Sequence, residues 1–187
     1  MYGSGDQAYE LVTNSWIVGN DELLVIDAAN DADAIVAAIG GRRVVGILCT
    51  NGTVDHVNAA PAVADSSGAP VLLHPADGRF WDGTHPSVKP DRELVDGQVV
   101  EVDGLQVHVL HTPGYTRGSC SFHAPALAAV FAGDTLGLTA PGPGSPFSDP
   151  EAQLASIRTK LLPLPGHTEV RRGHGDVTTI ADHLDQA

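Results

Sequence analysis

Basic residues are scarce in this chain. Ten Lys and Arg stand against 23 Asp and Glu among 187 residues, a formal net charge of −13. Binding to nucleic acid or an anionic membrane needs a basic face, so neither partner is expected. Cysteine is equally sparse: Cys49 and Cys120 are too few for a disulfide framework and both sit in apolar stretches, where buried free thiols are expected. No apolar run approaches the ~18 residues of a membrane span. The opening MYGSGDQAYE is polar and acidic, unlike a secretory signal. Charged residues make up only 18% and hydrophobic ones 42%, which excludes a disordered chain. These absences, with the length, point to a cytoplasmic protein with one domain over residues 1–187. They leave its oligomeric state open.

Histidine is the residue type in plain supply, with nine in the chain, and it directs attention to metal or acid–base chemistry. Leu11 to Ala29 holds two β-rich runs around Gly19-Asn20-Asp21, a hairpin signal. Asp31 to Gly40 has helical spacing, Val44 to Cys49 and Pro70 to Leu73 read as buried strands, and Asp55 to Ala64 reads as one helix. His74 to Asp96 is irregular and rich in Asp, Pro and Gly. Gln98–Val102 and Leu105–Leu110 form a second hairpin signal, followed by strands at Ser119–Phe122 and Ala128–Ala132. A Gly/Pro loop over Ala140–Pro150 leads to a helix over Glu151–Leu162, a strand over Glu169–Arg172 and a closing helix over Thr178–Gln186. The same order of elements comes twice, which suits two packed sheets with helices outside, a four-layer α/β arrangement.

Four polar places each follow an apolar strand: Thr50 to His56, His111 to Gly114, Gly133 to Leu136 and Gly173 to Asp176. Strand ends are where ligands gather in α/β proteins, and imidazole with carboxylate suits a divalent metal. By spacing alone, a metal site and a set of hydrogen-bonded loop residues both remain open.

Taken in order, Asn14–Val18, the strand ending in Asp27, the loop after Cys49, HTPGYTRGS at His111–Ser119, AGDTL at Ala132–Leu136 and GHGDVTTI at Gly173–Ile180 resemble the metallo-β-lactamase superfamily, in particular its glyoxalase-II-like hydrolases. The resemblance implies a four-layer αββα sandwich and hydrolysis of a thioester, ester or lactone of a small acyl compound. The family motif His-x-His-x-Asp-His reads Asn51-Gly52-Thr53-Val54-Asp55-His56 here, so two histidines are replaced. Carried over residue by residue, a first site keeps only His111 and the bridging Asp134, while a second keeps Asp55, His56, Asp134 and His174. The resemblance thus implies at most one divalent metal, zinc first, at the second site, with Asp55 placing the nucleophile. Tyr115 stands where HTPGHT often carries a His and is a candidate proton donor; Asn51 and Thr53 are candidate substrate contacts, and Asp176 a residue that orients a ligand. The alternative is a metal-free pseudoenzyme, or a non-hydrolytic protein that binds a small acyl ligand and assists cyclisation or elimination.

Overall fold

The computed structural model describes residues 12–137 and 147–186, so Leu11 of the first run and residues 140–146 of the Gly/Pro loop lie outside the described residues. Strands β1 (Trp16–Gly19) and β2 (Glu22–Ile26) form the first hairpin. Helix α1 (Ala32–Ile39) starts where the Asp31 carboxylate accepts the Ala34 amide at 2.9 Å and stops at Gly40, whose φ is 63°. Its buried Ile35 and Ile39 are one turn apart and face the sheet. Strand β3 (Arg43–Leu48), helices α2 (Val54–Val57) and α3 (Ala60–Ser67), and strand β4 (Val71–Leu73) follow. After α4 (Gly78–Thr84) and the short β5 (Arg92–Glu93), the second half runs β6 (Val99–Val102), β7 (Leu105–His111), β8 (Cys120–Ala124), β9 (Ala129–Gly133), α5 (Pro150–Ser156), β10 (Glu169–Arg172) and β11 (Thr178–Thr179).

The strands make two mixed sheets, ordered β1-β2-β3-β4-β5 and β11-β10-β9-β8-β7-β6. Three apolar layers hold four structural layers together. Leu23, Ile47, Val63 and Trp81 lie between the first sheet and its helices; Leu24, Leu48, Val109, Phe122 and Phe131 fill the space between sheets; Val130, Ile157, Leu161 and Ile180 lie under α5 and the turns after it. This is the αββα sandwich expected. Within each sheet the parallel neighbours β2, β3, β4 and β9, β10 run the same way. Their carboxyl ends carry Asp27, Thr50–His56, Asp134 and His174, and the polar loops collect along one edge. Among the described residues no helix is long and apolar enough to cross a membrane.

Four local expectations need correcting. The irregular segment 74–96 contains α4, built around the fully buried Trp81, whose indole N–H donates to the Val88 carbonyl at 2.7 Å. The single helix expected over 55–64 is two, interrupted at Asn58-Ala59 before Pro61. The helix from Glu151 ends as α at Ser156 and continues as a π turn over Ile157–Leu161, with the Leu162 amide reaching the Ile157 carbonyl. The closing helix is strand β11 followed by a 3₁₀ turn over Ile180–Gln186, because the Asp182 carboxylate takes both the amide and hydroxyl of Thr179 at 2.8 Å.

Candidate metal centre

The site is built on His56, which is fully buried at the first turn of α2. Its Nδ1 donates to Asp27 Oδ2 at 2.8 Å. Asp27 is itself buried and fixed by the amide and hydroxyl of Thr50, each at 2.7 Å. Its φ of 55° turns the chain at the end of β2, a left-handed conformation that Asp tolerates better than most residues. Because Nδ1 is committed, the second ring nitrogen, Nε2, faces inward. It lies 2.9 Å from Asp134 Oδ2 and 3.8 Å from Asp55 Oδ2, yet makes no aligned hydrogen bond.

His174 repeats the device. Its Nδ1 donates to the Val12 carbonyl at 2.9 Å, leaving Nε2 at 3.3 Å from Asp55 Oδ2 and 3.4 Å from Asp134 Oδ1. An imidazole whose Nδ1–H is held by an acceptor presents Nε2 as a ligand of fixed tautomer. Asp55, His56 and His174 offer ligand atoms within 4.8 Å of one another, a group that could hold a metal ion, and Asp134 adjoins both rings. Two glycines permit the approach. A Cβ on Gly173 would meet His56 Cε1 at 2.6 Å, and one on Gly133, where φ is 51°, would meet Thr50 Oγ1 at 2.5 Å.

The electrostatics follow from the packing. Burial opposes a charge on His56, but the carboxylates of Asp27 and Asp134 outweigh it and hold the imidazole well above its usual range. The hydrogen bond to Asp55 raises His174, against partial burial. Asp55 resists burial and falls to about 2, through His174, the charge of His56 and the Thr53 hydroxyl.

The expected first site is different in kind. The buried Asn51 donates Nδ2 to Asp134 Oδ2 at 3.1 Å, while its Oδ1 accepts the amide and hydroxyl of Thr53 at 2.9 and 2.6 Å. Burial, with the charges of Asp134 and Asp55 nearby, pushes the Tyr115 phenol upward, so it stays protonated. Asn51 and Thr53 satisfy one another and Asp134, and none of the three neutral groups provides imidazole or carboxylate for a second ion. His111 is not brought to the cluster. Its Nε2 meets the Arg117 carbonyl at 3.0 Å and its ring stacks on His74 at 4.1 Å, joining the ends of β7 and β4. The metal set read from the sequence therefore loses His111, and the position facing Asp134 from that loop is Tyr115, four residues on. The exposed Asp176 offers Arg172 its backbone carbonyl, at 2.9 and 2.6 Å.

Sequence reasoning passed over Asp27 and Asp77 as working residues; the only signal for Asp27 was its place at a strand end before a small-residue turn. The fully buried Asp77 carboxylate takes the Gly52 amide at 2.9 Å, the Gly118 amide at 2.8 Å and the Thr116 hydroxyl at 2.7 Å. It thereby ties the loop of Asn51 and Thr53 to the loop of Tyr115. Cys49 and Cys120 are free and buried, and burial pushes the Cys120 thiol up to about 12, which leaves no thiolate nucleophile near the site.

Residues 8–174 match the metallo-beta-lactamase superfamily. A hydroxyacylglutathione hydrolase of Jannaschia sp. is 35% identical over 146 residues; the match takes in 77% of this chain and 54% of that protein, about half of its length. Among solved structures, BLEG-1 B3 metallo-beta-lactamase superposes with a TM-score of 0.84 at 29% identity, covering 95% of this chain and 93% of the other. TTHA1623 in a di-iron-bound form gives 0.80 at 31% identity, with 94% of each chain covered.

Proposed function

The chain belongs to the metallo-beta-lactamase superfamily, and from that premise we propose that it is a hydrolase of a small acyl thioester, ester or lactone that works with one divalent metal, zinc first. Asp55, His56, Asp134 and His174 would hold the ion. The observation that carries this reading is the buried His56 Nε2, which lacks an aligned partner while Nδ1 is pinned by Asp27. When bound, a divalent ion supplies a Lewis acid there, of the kind that brings the pKa of water to roughly 7.

The protein's own groups do the rest. Asp55 stays ionised at working pH and orients the attacking water at the edge of the cluster. Tyr115 keeps its phenol proton, and with the second N–H of the Asn51 amide, whose other N–H goes to Asp134, it would meet a carbonyl oxygen that gains charge. The Thr53 hydroxyl is spent on Asn51 Oδ1 and does not take the substrate role expected of it. Neutral donors in such a place contribute roughly 3 kcal/mol, about a hundredfold in rate. That is less than a second ion should give, so the activity is expected to be narrow and poor on generic glyoxalase substrates. The partner is a small molecule, handled within one domain.

Elemental analysis of protein purified without chelator, paired with a thioester assay, tests this. One ion per chain is expected, and two would refute the reading. Asp55→Asn should cut turnover by orders of magnitude while the melting temperature holds; full activity in Asp55→Asn would end the mechanism. One observation favours a second reading, a metal-free protein that binds an acyl ligand or assists its cyclisation or elimination. Imidazolium charge on His56 and His174 offsets two of the three carboxylates, Asp27, Asp55 and Asp134, without a cation. Protein free of metal that also fails to hydrolyse any thioester supports that reading.

A further inference from the structure

A cleft of about 770 Å³ opens beside the cluster, lined by Arg79, Phe80, Pro113, Arg117 and Phe147 among others. That volume is in the range of small-molecule sites. It touches the loop that carries Tyr115. Gly114 and Thr116, on either side of Tyr115, are part of its wall, and a Cβ on Gly52 would meet Phe80 Cβ at 3.2 Å.

Its charge is out of keeping with the chain. Of the ten basic residues, Arg43, Lys89, Lys160 and Arg171 have carboxylate partners, and Arg42 and Arg172 hold backbone carbonyls. The other four, Arg79, Arg92, Arg117 and Arg158, have no carboxylate partner among the described residues, and two of them, Arg79 and Arg117, line this one cleft in a chain whose acidic groups outnumber basic ones more than two to one. Arg79 is held instead by aromatic faces: its guanidinium carbon lies 5.0 Å from the Phe147 centroid and 5.8 Å from that of Phe80, and the two rings meet edge to face at 5.2 Å. Stacking in this way leaves the in-plane N–H donors of a guanidinium for a planar or tetrahedral anion. The one acidic group in the wall, Asp149, is committed to capping α5 through the Ala152 amide at 3.0 Å.

We propose that this cleft is the substrate's anion-binding subsite. It takes an acyl compound whose far end carries a carboxylate or phosphate on a flat apolar body, with Arg79 and Arg117 on the anion and Phe80 and Phe147 on the body. The inference rests on the hydrolase reading for the direction of the substrate, with its acyl carbon toward Tyr115 and Asp134.

Titration calorimetry on the protein as purified tests the subsite without requiring turnover. Phenyl phosphate and benzoate are the anionic probes, and benzyl alcohol is the neutral one. At least one anion should bind at least about tenfold more tightly than the alcohol, and whichever of the two binds better identifies the headgroup. Arg79→Ala and Arg117→Ala should each weaken binding about tenfold, and Arg158→Ala should not. The double Lys variant at 79 and 117 should keep more affinity than the double Ala variant, which separates loss of charge from loss of fold.

Equal binding of anion and alcohol would overturn the proposal, as would unchanged anion binding in the double Ala variant. So would anion binding that disappears in His174→Ala but survives at the two arginines, since the anion would then be sitting on the metal cluster. Comparing KM for S-acetyl-4-mercaptobenzoate and S-phenyl thioacetate completes the test. If neither is hydrolysed while the binding differences hold, the hydrolase reading fails and the subsite stands. If both are hydrolysed with equal KM, the subsite fails and the hydrolase stands.

Discussion

Replacing Asp27 separates the fold from the metal centre. The carboxylate accepts three buried donors, the amide and hydroxyl of Thr50 and Nδ1 of His56, at 2.7, 2.7 and 2.8 Å. Asp27→Ala strands all three, at about 1–3 kcal/mol each, against a total stability of about 5–15 kcal/mol for a domain. That variant should be barely folded. Asp27→Asn is subtler. The Thr50 amide requires a carbonyl oxygen at the Oδ1 position, so the new NH₂ falls at the Oδ2 position, facing His56 Nδ1. Nδ1 must then accept, and the ring proton moves to Nε2, the atom aimed at the metal. The fold should survive with a modest loss, while metal affinity drops about 10–100-fold, the usual effect of losing the group that orients a ligating imidazole. Zinc titration against a competing chelator measures the drop, thermal melting checks the fold, and nitrogen-15 NMR of the His56 ring shows which nitrogen carries the proton. Unchanged zinc affinity with Nδ1 still protonated would refute the reasoning.

Metal affinity should also fall as the pH is lowered. His56 and His174 have raised pKa values in the metal-free protein, so a metal must displace up to two ring protons; affinity rises with pH through those raised values and weakens in acid, whereas Asp55, at about 2, adds nothing to the slope. Chelator competition across pH reads it, and a flat profile would contradict the assignment. Asn51→His with Thr53→His should not create a second site by itself, because the third position facing Asp134 is Tyr115; adding Tyr115→His should raise metal content by about one ion per chain by elemental analysis. His111→Ala should leave metal content unchanged, since its ring is engaged with His74 and the Arg117 carbonyl.

Where sequence pattern and local chemistry coincide, the structure was legible. Gly19-Asn20-Asp21 between two apolar runs made a hairpin, and Asp31 with Gly40 bracketed α1. Asp55, His56, Asp134 and His174 were nameable because their loops, each after an apolar strand, carry motifs that resemble those of the metallo-β-lactamase superfamily; their spacing alone left a metal site open. The failures share a cause, which is that tertiary contacts decided the outcome. Helix α4 has little helical pattern, and the burial of Trp81 fixes it. His111 and Tyr115 are four residues apart in one loop, and nothing in their order tells which faces Asp134. The inward-facing Val107 and Val109 put His111 on the same side of β7, where the end of β4 supplies His74 as its neighbour. Asp27 was invisible as an orienting group because its partner lies 29 residues away.

The clasp at Asp77 has a kinetic consequence. Its three donors come from two loops, and releasing either loop alone would leave a buried carboxylate short of partners. The two loops should therefore open as one cooperative unit. In native-state amide exchange, Gly52 and Gly118 should show the same opening free energy although 66 residues separate them in sequence. Asp77→Asn should accelerate both together, and the mouth of the catalytic edge should breathe as a single latch.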